Sequence, residues 1–231
     1  MTDLGLLNWQ VVTLFSLDSA GRLRCVNEPG EPEAPRFFLG RTTAGNVWRF
    51  RDDLPAEVVG ALAALARLEP VPHALEPEVT YLGAFRDVLE EHEPVRQVWS
   101  GPAYRFPETL PPAPDTVRVT EGNAGVLEAG FPELRVNLAA VSPCVAVVQD
   151  AQAVAVCCSA RTSAGAAEAG LETLAGFRGR GYAAAVVSGW AAAVREGGKT
   201  PLYSTSWDNR ASRGVARRLG LTLYGTDLSI L

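Results

Sequence analysis

The chain has 231 residues, 47% hydrophobic and 20% charged, with a formal net charge of −5 at pH 7. That length can bury one large core or two small ones, and the composition is that of an ordinary globular protein. The acidic balance gives no support for nucleic acid as the main partner. Charges interrupt every run that could span a bilayer, and the N-terminus has no basic region ahead of an apolar run. A cytoplasmic protein is expected.

In chain order, the first segment reads as β-rich. Val11–Phe15 and Leu23–Val26 flank the turn Asp18-Ser19-Ala20-Gly21, and Phe37–Leu39 and Val47–Phe50 flank Thr42-Thr43-Ala44-Gly45. Pro55 then opens a helix with Val58, Val59, Leu62, Leu65 and Ala66 along one face. Prolines at 70, 72 and 77 make the best domain boundary. We therefore divide the chain into an N-terminal α+β accessory module, residues 1–75, and a second domain, 76–231.

From Val79 a helix is expected to Glu93, then a short hairpin around Ser100-Gly101-Pro102. A connection containing Pro107, Pro111, Pro112 and Pro114 leads to a helical stretch from Gly122 to Leu138. Cys144–Val148 and Val154–Cys158 form the clearest hairpin, across Gln149-Asp150-Ala151. A strand from about Gly170 to Leu174 runs into a glycine-rich loop, and a long helix follows from Gly181 to Glu196, stopped by Gly197-Gly198. Leu202–Ser206 reads as a strand, Asn209–Leu219 as a helix and Leu221–Tyr224 as a strand. The fold class is α/β (α+β) with a mixed sheet.

The scarce residues narrow the chemistry. His73 and His92 have no second metal-type ligand at helical or short-loop spacing, so no metal site is expected, and no Gly-x-Ser-x-Gly elbow accompanies them. The four cysteines, Cys25, Cys144, Cys157 and Cys158, are scattered, and the adjacent pair cannot form an unstrained bridge. They read as reduced thiols.

The loop Phe177-Arg178-Gly179-Arg180-Gly181-Tyr182-Ala183 carries the strongest chemical signal. Glycines at 179 and 181 let the backbone turn tightly and bring N–H groups close to a ligand. The first amides of the following helix lack intrahelical acceptors, and the helix dipole adds positive charge there. Together they suit a diphosphate, with Arg178 and Arg180 as cationic donors and Ala183, Ala184 and Ala185 keeping the first turn thin. Gly179-x-Gly181-x-x-Ala184 also satisfies the dinucleotide-binding pattern, with Asp208 as a poor ribose ligand. Too little chain follows Gly181 for the sheet such a fold needs.

These residues resemble the GNAT acetyltransferase superfamily, whose signature Arg/Gln-x-x-Gly-x-Gly/Ala opens a long helix as Arg178-x-x-Gly181-x-Ala183 does here. The resemblance runs in order over most of residues 120–224. It takes in the Cys144–Cys158 hairpin, the strand Leu202–Ser206, Asn209-x-x-Ser212, and Arg218-Leu219-Gly220-Leu221. It implies that the strands Gly170–Leu174 and Leu202–Ser206 splay apart around the pantetheine arm of acetyl-CoA. Backbone donors near Thr173 and Leu174 would meet the acyl carbonyl.

The resemblance further implies an amine acceptor, small molecule or peptide, that gives its proton to a carboxylate. Glu172 and Glu168 are the available acids, and a period of two puts them on one face. Asn209 would contact the cofactor arm, and Ser212 would approach the sulfur. Arg210, Arg213 and Arg217 form a basic stripe that either meets cofactor phosphates, with Arg213 counted among the binding residues, or is a solvated face. Many members carry a tyrosine seven residues after the asparagine, to protonate the departing thiolate, where this chain has Ala216. Either Tyr203 or Ser212 substitutes, the thiolate leaves without a side-chain acid, or the domain is a silent acyl-CoA-binding module. A homodimer is an arrangement the N-terminal module would allow, and a nicotinamide-dependent oxidoreductase is a third functional alternative.

Overall fold

The computed structural model describes residues 1–113 and 115–231, so Pro114 of the proline-rich connection lies outside the described residues. The chain opens with a helix, α1 (Asp3–Leu14), where a strand was expected from Val11. Thr2 caps it by accepting a bond from Gly5 N at 3.1 Å. The β-branched run at its end is held helical by packing: Leu7, Val11 and Leu14 are buried in one cluster. Thr13 Oγ1 donates back to Trp9 O at 2.7 Å. Burial has overridden local β preference.

β1 (Phe15–Leu17) and β2 (Leu23–Val26) then pair as a small separate sheet. β3 (Phe37–Thr42) and β4 (Gly45–Phe50) form the expected hairpin. α2 (Ala56–Leu68) and α3 (Leu82–His92) follow, with Val58, Leu62, Phe85 and Leu89 packed on Phe37 and Leu39. The proline-bearing segment between the two helices is tied down by Arg41 of β3, which donates to Glu76 O (2.8 Å) and Glu78 O (2.5 Å). Glu69, almost wholly buried, accepts from the amides of Thr80 and Tyr81.

β5 (Val98–Arg105) replaces the hairpin expected at Ser100-Gly101-Pro102. The Gly-Pro pair reads locally as a turn, yet here it serves a crossing chain. A β-carbon on Gly101 would lie 1.8 Å from Thr205 O, so only glycine admits the segment that leaves the neighbouring strand. Pro102 lies one residue beyond that neighbour's ladder, which ends at Ser204↔Ala103, and its carbonyl accepts from Thr205 N at 3.3 Å. β6 (Thr116–Val119) is an edge strand that the sequence pattern did not announce. The helix expected over 122–138 is two short pieces, a 3-10 helix (Glu121–Leu127) and α4 (Pro132–Val136), separated before Pro132.

β7 (Cys144–Gln149) and β8 (Gln152–Thr162) form the expected hairpin, with positive φ at Asp150 and Ala151 in its turn. β9 (Ala166–Thr173) starts earlier than expected. α5 (Tyr182–Glu196) and α6 (Arg210–Arg218) fall where the sequence puts them, β10 (Thr200–Ser204) starts and ends two residues earlier than expected, and β11 (Thr222–Ile230) runs beyond its expected end at Tyr224. The main sheet has nine strands in the order β4-β3-β11-β5-β10-β9-β8-β7-β6. Only β9 and β10 are parallel, so the sheet is mixed as expected. α5 lies on one face through Val186, Val187, Trp190 and Val194, all buried. α1 lies on the other through Leu6, Leu7 and Val11 against Ala103, Ala166, Leu202 and Tyr224.

β5 thus belongs to the middle of the sheet, between β10 and β11, and β11 is held between β5 and β3. Gly101→Val places side-chain atoms inside the Thr205 backbone. We expect it to cost more than the roughly 1–3 kcal/mol of ordinary overpacking, read as a lower urea midpoint at unchanged m-value.

Candidate active site

β9 and β10 pair only at Thr200↔Ala166, Pro201↔Ala167 and Leu202↔Glu168, after which they part. Beyond that point β9 keeps β8 as its neighbour and β10 keeps β5. Leu174 N donates to Val154 O, so this amide is turned toward β8 and is not an available donor in the opening, contrary to expectation. N–H and C=O directions alternate along an antiparallel strand. The backbone groups of Leu171 and Thr173 therefore face the splay, and Thr173 O accepts from Arg178 Nε at 3.1 Å.

A cleft of about 570 Å³ lies at this opening. One wall is Leu171, Glu172 and Thr173, and its floor is Phe177, Arg178, Gly179, Gly181 and the first turn of α5. The far wall is Asn209, Ser212, Val215 and Arg218 of the α6 segment. Gly179 and Gly181 have φ of 77° and 87°, the left-handed region that glycine enters without a Cβ penalty. Gly181 caps α5 with no side-chain bond, and the first intrahelical bond is Ala185 N to Gly181 O. The amides of Tyr182, Ala183 and Ala184 are therefore left for whatever occupies the cleft.

Arg218 was not anticipated. It ends α6, yet its guanidinium lies over the loop, 3.2 Å from where a β-carbon on Gly181 would be. The arginines expected to flank a ligand are placed differently. Arg178 lines the cleft, whereas Arg180 donates to Gly176 O and covers the Phe177 ring at 5.1 Å. Arg213 turns away, donating to Trp207 O with its guanidinium 5.3 Å from the Trp207 ring. No local signal separates Arg218 from its neighbours, because its role depends on how α6 crosses α5.

Asn209 caps α6, its Oδ1 accepting from Ser212 N at 3.0 Å. Ser212 reaches the cleft, and its Oγ lies 2.7 Å from the hydroxyl of Tyr203. Tyr203 is 2% exposed, and burial pushes its phenol well above the usual range, so it stays protonated. Ala216 is fully buried in the core that Tyr203 helps to fill.

The opposite face of the splay is closed and polar. Glu168, 1% exposed, accepts through Oε1 from Ser204 N and from Ser204 Oγ at 2.8 Å. Its Oε2 has no hydrogen-bond partner among the described residues. Burial raises its pKa, against the lowering effect of the Ser204 bonds and the Arg161 charge. Glu172 shares that face by alternation but is exposed at the mouth of the cleft. Asp227 of β11, 3% exposed, accepts from Gln10 Nε2 at 2.8 Å, and Gln10 Oε1 accepts from the Tyr224 hydroxyl at 2.8 Å. Burial, and then the Glu168 charge, hold Asp227 well above the ordinary aspartate range.

A nine-strand mixed-sheet α+β fold with this arrangement is that of GNAT acetyltransferases. Over 99% of this chain and 95% of the other, it is similar to a GNAT-family acetyltransferase from Colwellia psychrerythraea, with a TM-score of 0.51 and 13% identity. Residues 147–229 match the family model of FR47-like proteins, so the C-terminal part of the chain carries an FR47-like, GNAT-related domain. A GNAT-family protein from Novosphingobium aromaticivorans aligns at 19% identity and a TM-score of 0.46, over 59% of this chain and only 65% of its own. A GCN5-related N-acetyltransferase from Sphaerobacter thermophilus aligns at 17% identity and 0.47, over 90% of this chain and 79% of its own. No curated protein matches the sequence. No helix among the described residues is long and apolar enough to cross a membrane.

The raised carboxyls fix the direction of a pH effect on stability. The folded state holds protons that the unfolded chain has released. Stability therefore falls as pH rises from the ordinary carboxylate range, about pH 4, toward the folded-state values of Glu168 and Asp227. Asp227→Asn removes one such group and keeps an acceptor for Gln10. Its melting temperature should exceed the parent's at pH 8, with the advantage vanishing near pH 4, in thermal melts across that range.

Proposed function

We propose that this chain transfers an acyl group, acetyl in the simplest case, from acyl-CoA to a primary amine. The observation that carries this reading is the meeting, in one cleft, of an uncapped helix N-terminus with the free edge of a splayed strand. The residues present fit such a donor. A diphosphate suits the amides of Tyr182, Ala183 and Ala184, with Arg178 and Arg218 neutralising it. A pantetheine arm is amide-rich and extended, and the backbone groups of Leu171 and Thr173 can pair with it as a strand would.

The residues then divide the work. Leu171 and Thr173 N–H groups hold the acyl oxygen as negative charge develops on it. Glu172, exposed at the mouth of the same cleft, accepts the amine's proton. The nitrogen–carbon bond forms as the carbon–sulfur bond breaks, and CoA leaves as the thiolate, to which the Ser212 hydroxyl donates a hydrogen bond. The Tyr203 hydroxyl, 2.7 Å away, keeps its proton and orients Ser212 Oγ. This pair answers the substitution of alanine for the expected tyrosine at 216, and it favours an enzyme over a silent binding module. A dinucleotide would leave the open strand edge without a role.

Gly181→Glu fills the phosphate cradle and should abolish acetyl-CoA binding by calorimetry while circular dichroism stays native. Unchanged binding would sink the assignment of the loop. Arg218→Ala should weaken binding about ten- to a hundredfold, the worth of roughly 1.5–3 kcal/mol for a charged hydrogen bond. Ser212→Ala should lower kcat by about tenfold or more with little change in KM for acetyl-CoA. Glu172→Gln should lower kcat/KM by about tenfold or more in steady-state kinetics, with acetyl-CoA binding unchanged by calorimetry.

A further inference from the structure

A second cavity, of about 270 Å³, lies at the other end of the two elements that frame the cleft. α5 runs from Tyr182 in the cleft to Arg195 here, and β10 runs from Thr200 here to Ser204 at the splay. The lining brings together three cations: Arg105 from the end of β5, Arg195 from the last turn of α5, and Lys199 just beyond it. Leu6, Phe106 and Pro201 add apolar surface. No carboxylate lines the cavity among the described residues, in a chain whose formal net charge is −5.

The fold does not account for this meeting of charges. Cations near a helix C-terminus commonly offset its open carbonyls. Here backbone amides already do so: Gly197 N donates to Ala193 O, Lys199 N to Val194 O and Gly198 N to Arg195 O. The three side chains are instead anchored by partners that leave N–H groups over. Arg195 donates to Pro107 O at 2.6 Å and Glu108 O at 2.7 Å. Lys199 Nζ, which carries three donors, gives one to Thr162 Oγ1 at 2.9 Å. Arg105 gives one nitrogen to Asp3 Oδ1 at 2.8 Å, and that is the cavity's one ion pair among the described residues. Two charges are thus unmatched, and like charges around one space repel until an anion joins them.

We propose that this cavity binds a small organic dianion, a dicarboxylate or a phosphate monoester. Its oxygens meet Lys199, Arg195 and Arg105, and its short carbon chain lies on Leu6, Phe106 and Pro201. Guanidinium and ammonium groups take carboxylate and phosphate oxygens alike. Two unmatched cations suit two negative charges, and the apolar surface rewards carbon that an inorganic ion lacks. The volume falls just under the ~300 Å³ at which pockets for drug-sized ligands begin, so the guest is small. The site stands whether or not the cleft takes acyl-CoA.

The test is calorimetric titration of the full chain with succinate, with glycerol 3-phosphate, and with butyrate as the monoanion. Gly181→Glu is titrated in parallel, because the loop at the other end of α5 also suits phosphate. At least one dianion should bind parent and Gly181→Glu alike, about tenfold or more tighter than butyrate. Lys199→Gln and Arg105→Gln, each native by circular dichroism, should weaken it about tenfold. A preference between the two dianions identifies the oxyanion. Binding of neither dianion, equal binding of butyrate, loss of binding in Gly181→Glu, or an affinity untouched by both cation variants would each overturn the inference.

Discussion

A carboxylate takes the place of a ladder bond at the centre of this molecule. Where β9 and β10 would exchange their next backbone hydrogen bond, Ser204 N donates instead to Glu168 Oε1. The two strands must then separate, because a side chain now occupies the width that a strand spacing of about 4.8 Å leaves for backbone pairing. The free edge of β9, the cleft beside α5 and the enclosed polar floor under α1 all follow from that separation. The cost is an acid held out of water with its ionised form disfavoured.

The arginines show two uses of one side chain. Arg36, 2% exposed, donates to Leu89 O, Glu93 O and Pro94 O, and Arg41 donates to two carbonyls in the segment between α2 and α3. These guanidinium groups act as multidentate donors that fasten the end of α3 and the segments flanking it, a task suited to a rigid fork of N–H groups. Arg178 and Arg218 line the cleft instead, where the proposed reaction turns their charge to the donor's diphosphate. Location, and not residue type, separates fastening from binding.

The glycine loop was legible because its geometry is local. Two positive-φ glycines, a helix start and the small residues after it are encoded within seven positions, and no distant contact is needed to interpret them. The Tyr203–Ser212 pair was half legible: both residues could be named, but their 2.7 Å approach depends on the placement of α6 against β10. β5 was misread because Gly101-Pro102 has the composition of a turn, while its actual constraint, the Thr205 backbone, lies far along the chain. α1 was misread for the same reason, since Val11, Val12 and Thr13 have β-type side chains whose helical state is decided by the core above them. Arg218 stood out only as part of Arg218-Leu219-Gly220-Leu221, with no role attached, and Asp227 gave no signal, because their roles arise from a helix crossing and a strand register.

The place of β11 has a consequence for biosynthesis. It is made long after both of its partners, β3 on one side and β5 on the other. While the ribosome is still extending the chain, β3 and β5 each expose an unpaired edge beside the apolar side chains of Phe37, Phe38 and Leu39. Such edges are templates for pairing with other chains. The nascent protein therefore waits, with its most adhesive surfaces open, until residues 222–230 emerge. High separation between partners slows that closure, so the open edges persist until β11 docks between them.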